Sequence, residues 1–316
     1  MKKKRLLVLM LSVSLGFGIM AEEDNVVKTV SEEQTVEVAD ENVADSVKPK
    51  HWTLKSSLIL TAEQTQIDNW AAGGYSNIAF GGLFKGFYNY LNKKHKVDNT
   101  VELAYGRTRQ DLSGEGIFDK TNTWVKSDDK IELNSIYGYQ AVKNWNYSGL
   151  LNLKTQFDNG YKVSSGDTIL VSAGLSPIVL TTSVGMEYKT ANFSAMFSFL
   201  TGKTTFVGHR RLRGKTPNFG YTDDPDHAWK FSLGSYIKLF YQKDIFTNVN
   251  LLAKLDFFWD YEKPLIDTDI NGELFLTMKI SKYLSAFVSV QAAIDKDFST
   301  ALQFKERFGI SIPLNF

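Results

Sequence analysis

Cysteine is absent from all 316 residues. That excludes a disulfide framework, thiolate-held zinc or iron–sulfur, a cysteine nucleophile and a lipidated N-terminal cysteine. Proline is scarce, at 6, while hydrophobic residues reach 43% and aromatics 13%. The chain is therefore neither collagen-like nor disordered as a whole. Beyond the first 21 residues no stretch of 18 apolar, uncharged residues occurs, so no membrane-spanning helix is expected. There is no excess of one charge either: 36 basic against 35 acidic residues give +1 and no global basic footprint for nucleic acid. His-Glu-x-x-His, EF-hand and P-loop patterns are missing too, so no metal and no cofactor is expected.

What is present divides the chain into three. Residues 1–21 hold four basic residues, Lys2 to Arg5, then an apolar run of about 15 residues ending at Ala21, the pattern of a secretory signal peptide. Residues 22–50 contain nine acids and three lysines, no aromatic and one proline, Pro49. Such a segment buries too little to offset its ordering entropy and reads as a disordered acidic periplasmic tail. Residues 51–316 carry the remaining charge, about +3, and a sustained alternation of apolar and polar residues.

In 247–260, Val249, Leu251, Ala253, Leu255, Phe257 and Trp259 alternate with Asn248, Asn250, Lys254, Asp256 and Asp260. A period of two puts these sets on opposite faces of a strand. Twelve such segments recur, near 51–62, 76–91, 95–110, 128–142, 146–159, 177–190, 192–206, 229–242, 246–260, 268–281, 283–295 and 299–316. Most exceed the ~5–6 residues typical of soluble strands and match the ~9–11 that cross a bilayer at a tilt. Tight and long connections alternate, as periplasmic turns and external loops do in outer-membrane barrels. The expectation is an all-β, twelve-stranded antiparallel transmembrane β-barrel of the outer membrane, with both termini periplasmic. Phe308 and Phe316, with Ile310, Ile312 and Leu314 between them, resemble the terminal aromatic signal read by barrel-assembly machinery. The partners expected are that machinery, outer-membrane lipid and small polar solutes, with no nucleic acid.

Several blocks are similar to a Bacteroidota outer-membrane family, "domain of unknown function 3078". They are QTQIDNWAAGG from Gln64, NTVELAYG from Asn99, DDKIELNSIYGYQ from Asp128, YSGLLNLKTQFDNGY from Tyr147, LTGK from Leu200, KDIFTNVNLLAKLDFF from Lys243 and QFKERFG from Gln303. Their order covers nearly all of 51–316. The resemblance implies an outer-membrane barrel and no settled activity, so it carries no catalytic residue onto this chain.

Chemistry-bearing clusters are few. His209 and His227 flank the longest loop and, with Asp223, Asp224 and Asp226, form a candidate cation site; a solvated loop is the plainer reading. In the same loop Arg210, Arg211, Arg213 and Lys215 suit phosphate groups, although neutralising the loop's own acids accounts for them. A barrel phospholipase needs His and Ser on one outward face, with Asn to orient the imidazole; no histidine holds an outward mid-strand position. No enzyme is expected. Gln64, Ile67, Trp70 and Gly73 mark a candidate plug, with a short helix over 61–72 suggested by Thr61 and Gln64 as a capping box.

Parity assigns the lumen. The inward acids are Asp98, Glu102, Glu132, Asp158, Glu187, Asp256, Asp260, Glu273 and Asp295. The inward bases are Lys55, Lys85, Lys154, Lys189, Lys230, Lys238, Lys254, Lys279, Lys305 and Arg307. Near balance predicts cross-strand ion pairs in a narrow interior rather than a strongly ion-selective pore. Lys254 should meet Glu273, with Glu102, Lys154, Asp256 and Arg307 in the same central belt. The function expected is a narrow or gated channel for small polar solutes; a non-conducting accessory barrel is the alternative.

Overall fold

In the computed structural model, the described residues are 51–66, 76–112, 115–120, 122–164, 167–213, 226–282, 284–297 and 299–315. The expected leader and acidic tail, Ile67, Trp70, Gly73 and Phe316 lie outside them.

Twelve long antiparallel strands form one closed barrel. They are β1 (Trp52–Thr65), β2 (Asn77–Asn92), β3 (His95–Gln110), β4 (Val125–Val142), β5 (Trp145–Thr155), β8 (Ile178–Lys189), β9 (Phe193–Phe206), β10 (Trp229–Phe246), β11 (Val249–Asp260), β12 (Asp269–Ser281), β13 (Leu284–Asp295) and β14 (Ser299–Asn315). A separate hairpin, β6 (Gly160–Ser164) and β7 (Asp167–Ser172), rises from the connection after β5. The barrel order follows the chain, so each strand pairs with its neighbours in sequence and β14 returns to β1.

The alternation explains why the sheet closes. In β10, Trp229, Phe231, Leu233 and Ile237 are exposed outside, while Ser232, Gly234, Tyr236 and Gln242 are buried inside. Closure removes most of the sheet edge, all but the part of β1 and β14 beyond the Leu60–Ile312 pair, and leaves each strand an apolar outer face and a mixed inner one. Aromatics gather near both strand ends. On the side where β1 begins and β14 ends, the termini side, Trp52 meets Tyr90 at 5.1 Å and Trp145 meets Tyr188 at 5.3 Å. On the other side Phe80 meets Trp124 and Trp259 meets Tyr261.

Turns on the termini side are tight. Lys93, Asn144 and Asn248 adopt positive φ there, at 53°, 65° and 66°, so each of these turns carries one left-handed residue, as tight hairpin connections commonly do. The turn after β10 falls at Thr247–Asn248 rather than at Lys243–Ile245, because alternation and pairing continue to Phe246.

Two expectations need correction. A helix over 61–72 does not begin at Thr61: Thr61 to Thr65 extend β1 and pair with Gly81 to Asn77 of β2, so Gln64 sits in the ladder opposite Ile78. The capping-box resemblance yields there to a continuing ladder. Asp158 is not inside the lumen either. β5 stops at Thr155, and Asp158 lies at the mouth, ion-paired with Arg107 and half-exposed. The Asn159 backbone N–H and the Arg107 guanidinium hold its carboxyl below the usual range.

Candidate functional site in the lumen

The barrel interior carries one continuous belt of charge. Lys254 of β11 reaches Glu273 of β12 at 3.5 Å and Glu102 of β3 at 3.0 Å. Lys130 of β4 lies 3.0 Å from Glu102, 2.8 Å from Glu132 and 3.7 Å from Glu273. Lys154 of β5 is 3.7 Å from both Glu132 and Asp256, and Lys238 of β10 is 3.2 Å from Asp256. Asn152 donates to Glu132 at 3.1 Å. Lys85 of β2 rests over the Phe275 ring, 4.2 Å from its centre, a cation–π contact.

Strand order gives this belt its meaning. In a ring of twelve, β3 and β11 stand six places apart, as do β4 and β12. The Lys254–Glu102 and Lys130–Glu273 pairs therefore span the lumen along a diameter. Apolar side chains fill the space beside them: Leu83, Ala104, Leu252, Phe275 and Phe287 form one buried cluster, and Ile136, Leu150, Met196, Tyr236 and Phe258 another. Phe275 and Phe287 stack with centres 5.6 Å apart, an arrangement worth about 0.5–1.5 kcal/mol beyond its buried area.

Space remains on both sides of the belt. A cavity of about 100 Å³ on the termini side includes Asp98, Asn134, Glu187, Lys189 and Gln242. A wider cavity of about 770 Å³ on the other side includes Lys126, Asp128, Lys130, Gln156 and Lys305. Smaller ionic knots lie at each end. Near the termini, Lys96 pairs with Glu187 at 2.6 Å and Lys189 with Asp98 at 2.7 Å. At the far mouth, Lys203 bridges Asp269 and Asp295 at 2.7 and 3.2 Å, and Lys263 meets Asp297 at 2.6 Å. Burial alone would raise the Asp297 carboxyl, but the Lys263 hydrogen bond and the Lys230 charge outweigh it and hold it below the usual range.

Of the six residues assigned to the central belt, the structure brings together Glu102, Lys154, Lys254, Asp256 and Glu273. Arg307 stands apart: it and Lys305 clasp Asp128 instead. Sequence reasoning passed over Lys130 and Asp128, although they share the parity of Glu132. It also passed over Lys203, whose signal was hidden. The register of β9 shifts between Phe197 and Leu200 against β8, so Met196 and Ser198 are buried before the shift and Thr201 and Thr205 after it. Gly185 accommodates that bulge, since a Cβ there would strike the Phe197 carbonyl oxygen.

Residues 62–161 match the family described as "Protein of unknown function (DUF3078)". That span is narrower than the sequence resemblance, which runs to Gly309. No curated protein matches the chain. Among solved structures, an outer membrane channel from Pseudomonas putida F1 is 12% identical, with 87% of this chain and 99% of that chain covered and a TM-score of 0.37. The translocator domain of the autotransporter NalP from Neisseria meningitidis is 9% identical over 83% of this chain and 87% of that one, at 0.35. Outer membrane phospholipase A from Escherichia coli is 13% identical over 82% and 92%, at 0.30.

The loop candidates resolve differently. Arg210 pairs with Asp226 at 2.8 Å, both well exposed, and Arg213 donates to the Val207 and Gly208 carbonyls. Those contacts are internal to the loop. Asp223, Asp224 and Lys215 lie outside the described residues, among which no group of three potential metal ligands occurs. His51 and His95 sit at the termini end, His95 against the Tyr137 hydroxyl at 2.8 Å.

Proposed function

We propose that this chain is a narrow outer-membrane channel for small polar solutes, held closed at rest by its lysine–carboxylate belt, and that it has no catalytic role. The observation that carries the reading is the pair of cavities, each lined by charged and polar as well as apolar side chains, separated by side chains alone among the described residues. A side-chain barrier opens when ion pairs exchange partners, and Lys130, Lys154 and Lys254 each already lie within 4 Å of at least two acids. The apolar exterior, flanked by two aromatic zones, suits a bilayer with interfaces at both rims. The proposal includes an exported leader in 1–21, an acidic tail in 22–50, periplasmic termini and the Bacteroidota lineage of the resembling family.

The test is conductance in a planar bilayer. The wild-type barrel should show small, infrequent openings. Replacing both Lys254→Ala and Glu273→Ala should enlarge or prolong them while the barrel stays folded. A second reading, a non-conducting accessory barrel, rests on the diametric ion pairs together with the apolar clusters. Silence under voltage from both the wild type and the double variant would favour that reading. Phe308, exposed on the outer face of β14, and Phe316 complete the proposal as the signal for barrel-assembly machinery. Deleting Phe316 should lower the amount of barrel in the outer-membrane fraction, and unchanged amounts would remove that role.

A further inference from the structure

The ring is joined unevenly. Among the described residues four register pairs, from Ser57↔Asn315 to Leu60↔Ile312, tie β1 to β14. Every other neighbouring pair in the barrel has at least ten. Past Leu60, β1 continues to Thr65 paired with β2, and β14 from Ser299 to Ser311 is paired with β13. Among the described residues no ladder crosses between these two upper segments. A cavity of about 740 Å³ occupies the place and is lined by residues of both barrel faces.

Its chemistry changes from outside to inside. Phe80, Phe308 and Ile310 are exposed on the outer rim. Within, Lys305 donates to Asp128 at 2.7 Å and Arg307 joins the same carboxylate. Two cations share one acid there, and the buried Arg307 Nε has no acceptor. Glu63 and Glu306 also border the cavity; Glu306 is an exposed acid on the outward face between Lys305 and Arg307. Gly81, Gly82 and Gly309 thin the wall.

We propose that the β1–β14 seam is a lateral portal for a single-chain amphiphile whose head group carries both a phosphate and an amine. An open strand edge cannot face hydrocarbon with its N–H and C=O groups unpartnered, so a polar group must stand in the gap. The phosphate meets Lys305 and Arg307, the amine meets Glu63 or Glu306, and the tail lies along Phe80 and Phe308. This route passes through the wall and does not need the central belt to open. It rests on reading the exterior as lipid-facing.

The experiment uses the full barrel in phosphatidylcholine nanodiscs and a lysophosphatidylethanolamine with a photoreactive diazirine on its acyl chain. Insertion is checked by heat-modifiable migration in gels. Labelling should concentrate on peptides containing Phe80 and Phe308. Unlabelled lysophosphatidylethanolamine should compete, and dodecyl maltoside should not. The folded variant Lys305→Gln/Arg307→Gln should lose about tenfold in labelling, the order expected for charge-assisted hydrogen bonds. Even labelling around the outer face of the barrel, undiminished labelling in the folded variant, or a crosslink between two copies at this seam would overturn the portal. Failure to enter nanodiscs would instead overturn the membrane reading beneath it.

Discussion

An arginine at Leu255 should destabilise the barrel by about 2–4 kcal/mol, the range for a basic residue on the lipid face near a bilayer midplane. Leu255 lies mid-strand in β11, between inward Lys254 and Asp256, and faces Leu239 of β10 and Gly272 of β12 in register. Its outer surroundings are apolar: Leu239, Leu274, Val290 and Ala292 border the same shallow groove. Glu273 also borders this groove, but it is already engaged by Lys254 and Lys130. Denaturant unfolding in lipid vesicles measures the change. Equal stability of wild type and Leu255→Arg would mean that this face does not meet hydrocarbon.

The second large effect is expected inside. Glu102→Leu removes the buried carboxylate that Lys130 and Lys254 share, leaving two partly buried cations with fewer acids. Breaking a buried pair by removing one partner costs about 3–5 kcal/mol, whereas removing both partners often costs far less. Glu102→Leu alone should therefore be more destabilising than Glu102→Leu combined with Lys254→Met. Unfolding midpoints of the two variants in vesicles decide it. A wet belt would give both variants losses of about 0–1 kcal/mol, as for exposed pairs, and would place water between the two cavities.

Much of this architecture was legible because a strand's faces follow a period of two. Lys254 and Glu273 could be matched from sequence since β11 and β12 are adjacent and both can be counted from a tight turn. Arg307 could not be placed that way. Height in a barrel depends on strand tilt and stagger as well as on position within a strand, and β14 divides its pairing between β13 and β1. Lys203 was lost for a different reason: the shift near Ser198 reverses the parity of β9, and no residue pattern announces a bulge before its partners are known. The β6–β7 hairpin is not legible as strands because its strands of 5 and 6 residues give too few alternations to count. Pairings across the diameter were the least legible, since they depend on closure of the whole ring.

The short seam between β1 and β14 also bears on how the barrel is made. All other pairings in the ring join strands that are neighbours in sequence or separated by one hairpin, so they can form by successive local zipping. This one joins the first strand to the last, and closing so long a loop carries the largest entropic cost in the molecule. With four pairs to offset that cost, closure should come last in folding, and amide exchange in the folded barrel should begin where it came last, at Ser57 to Leu60.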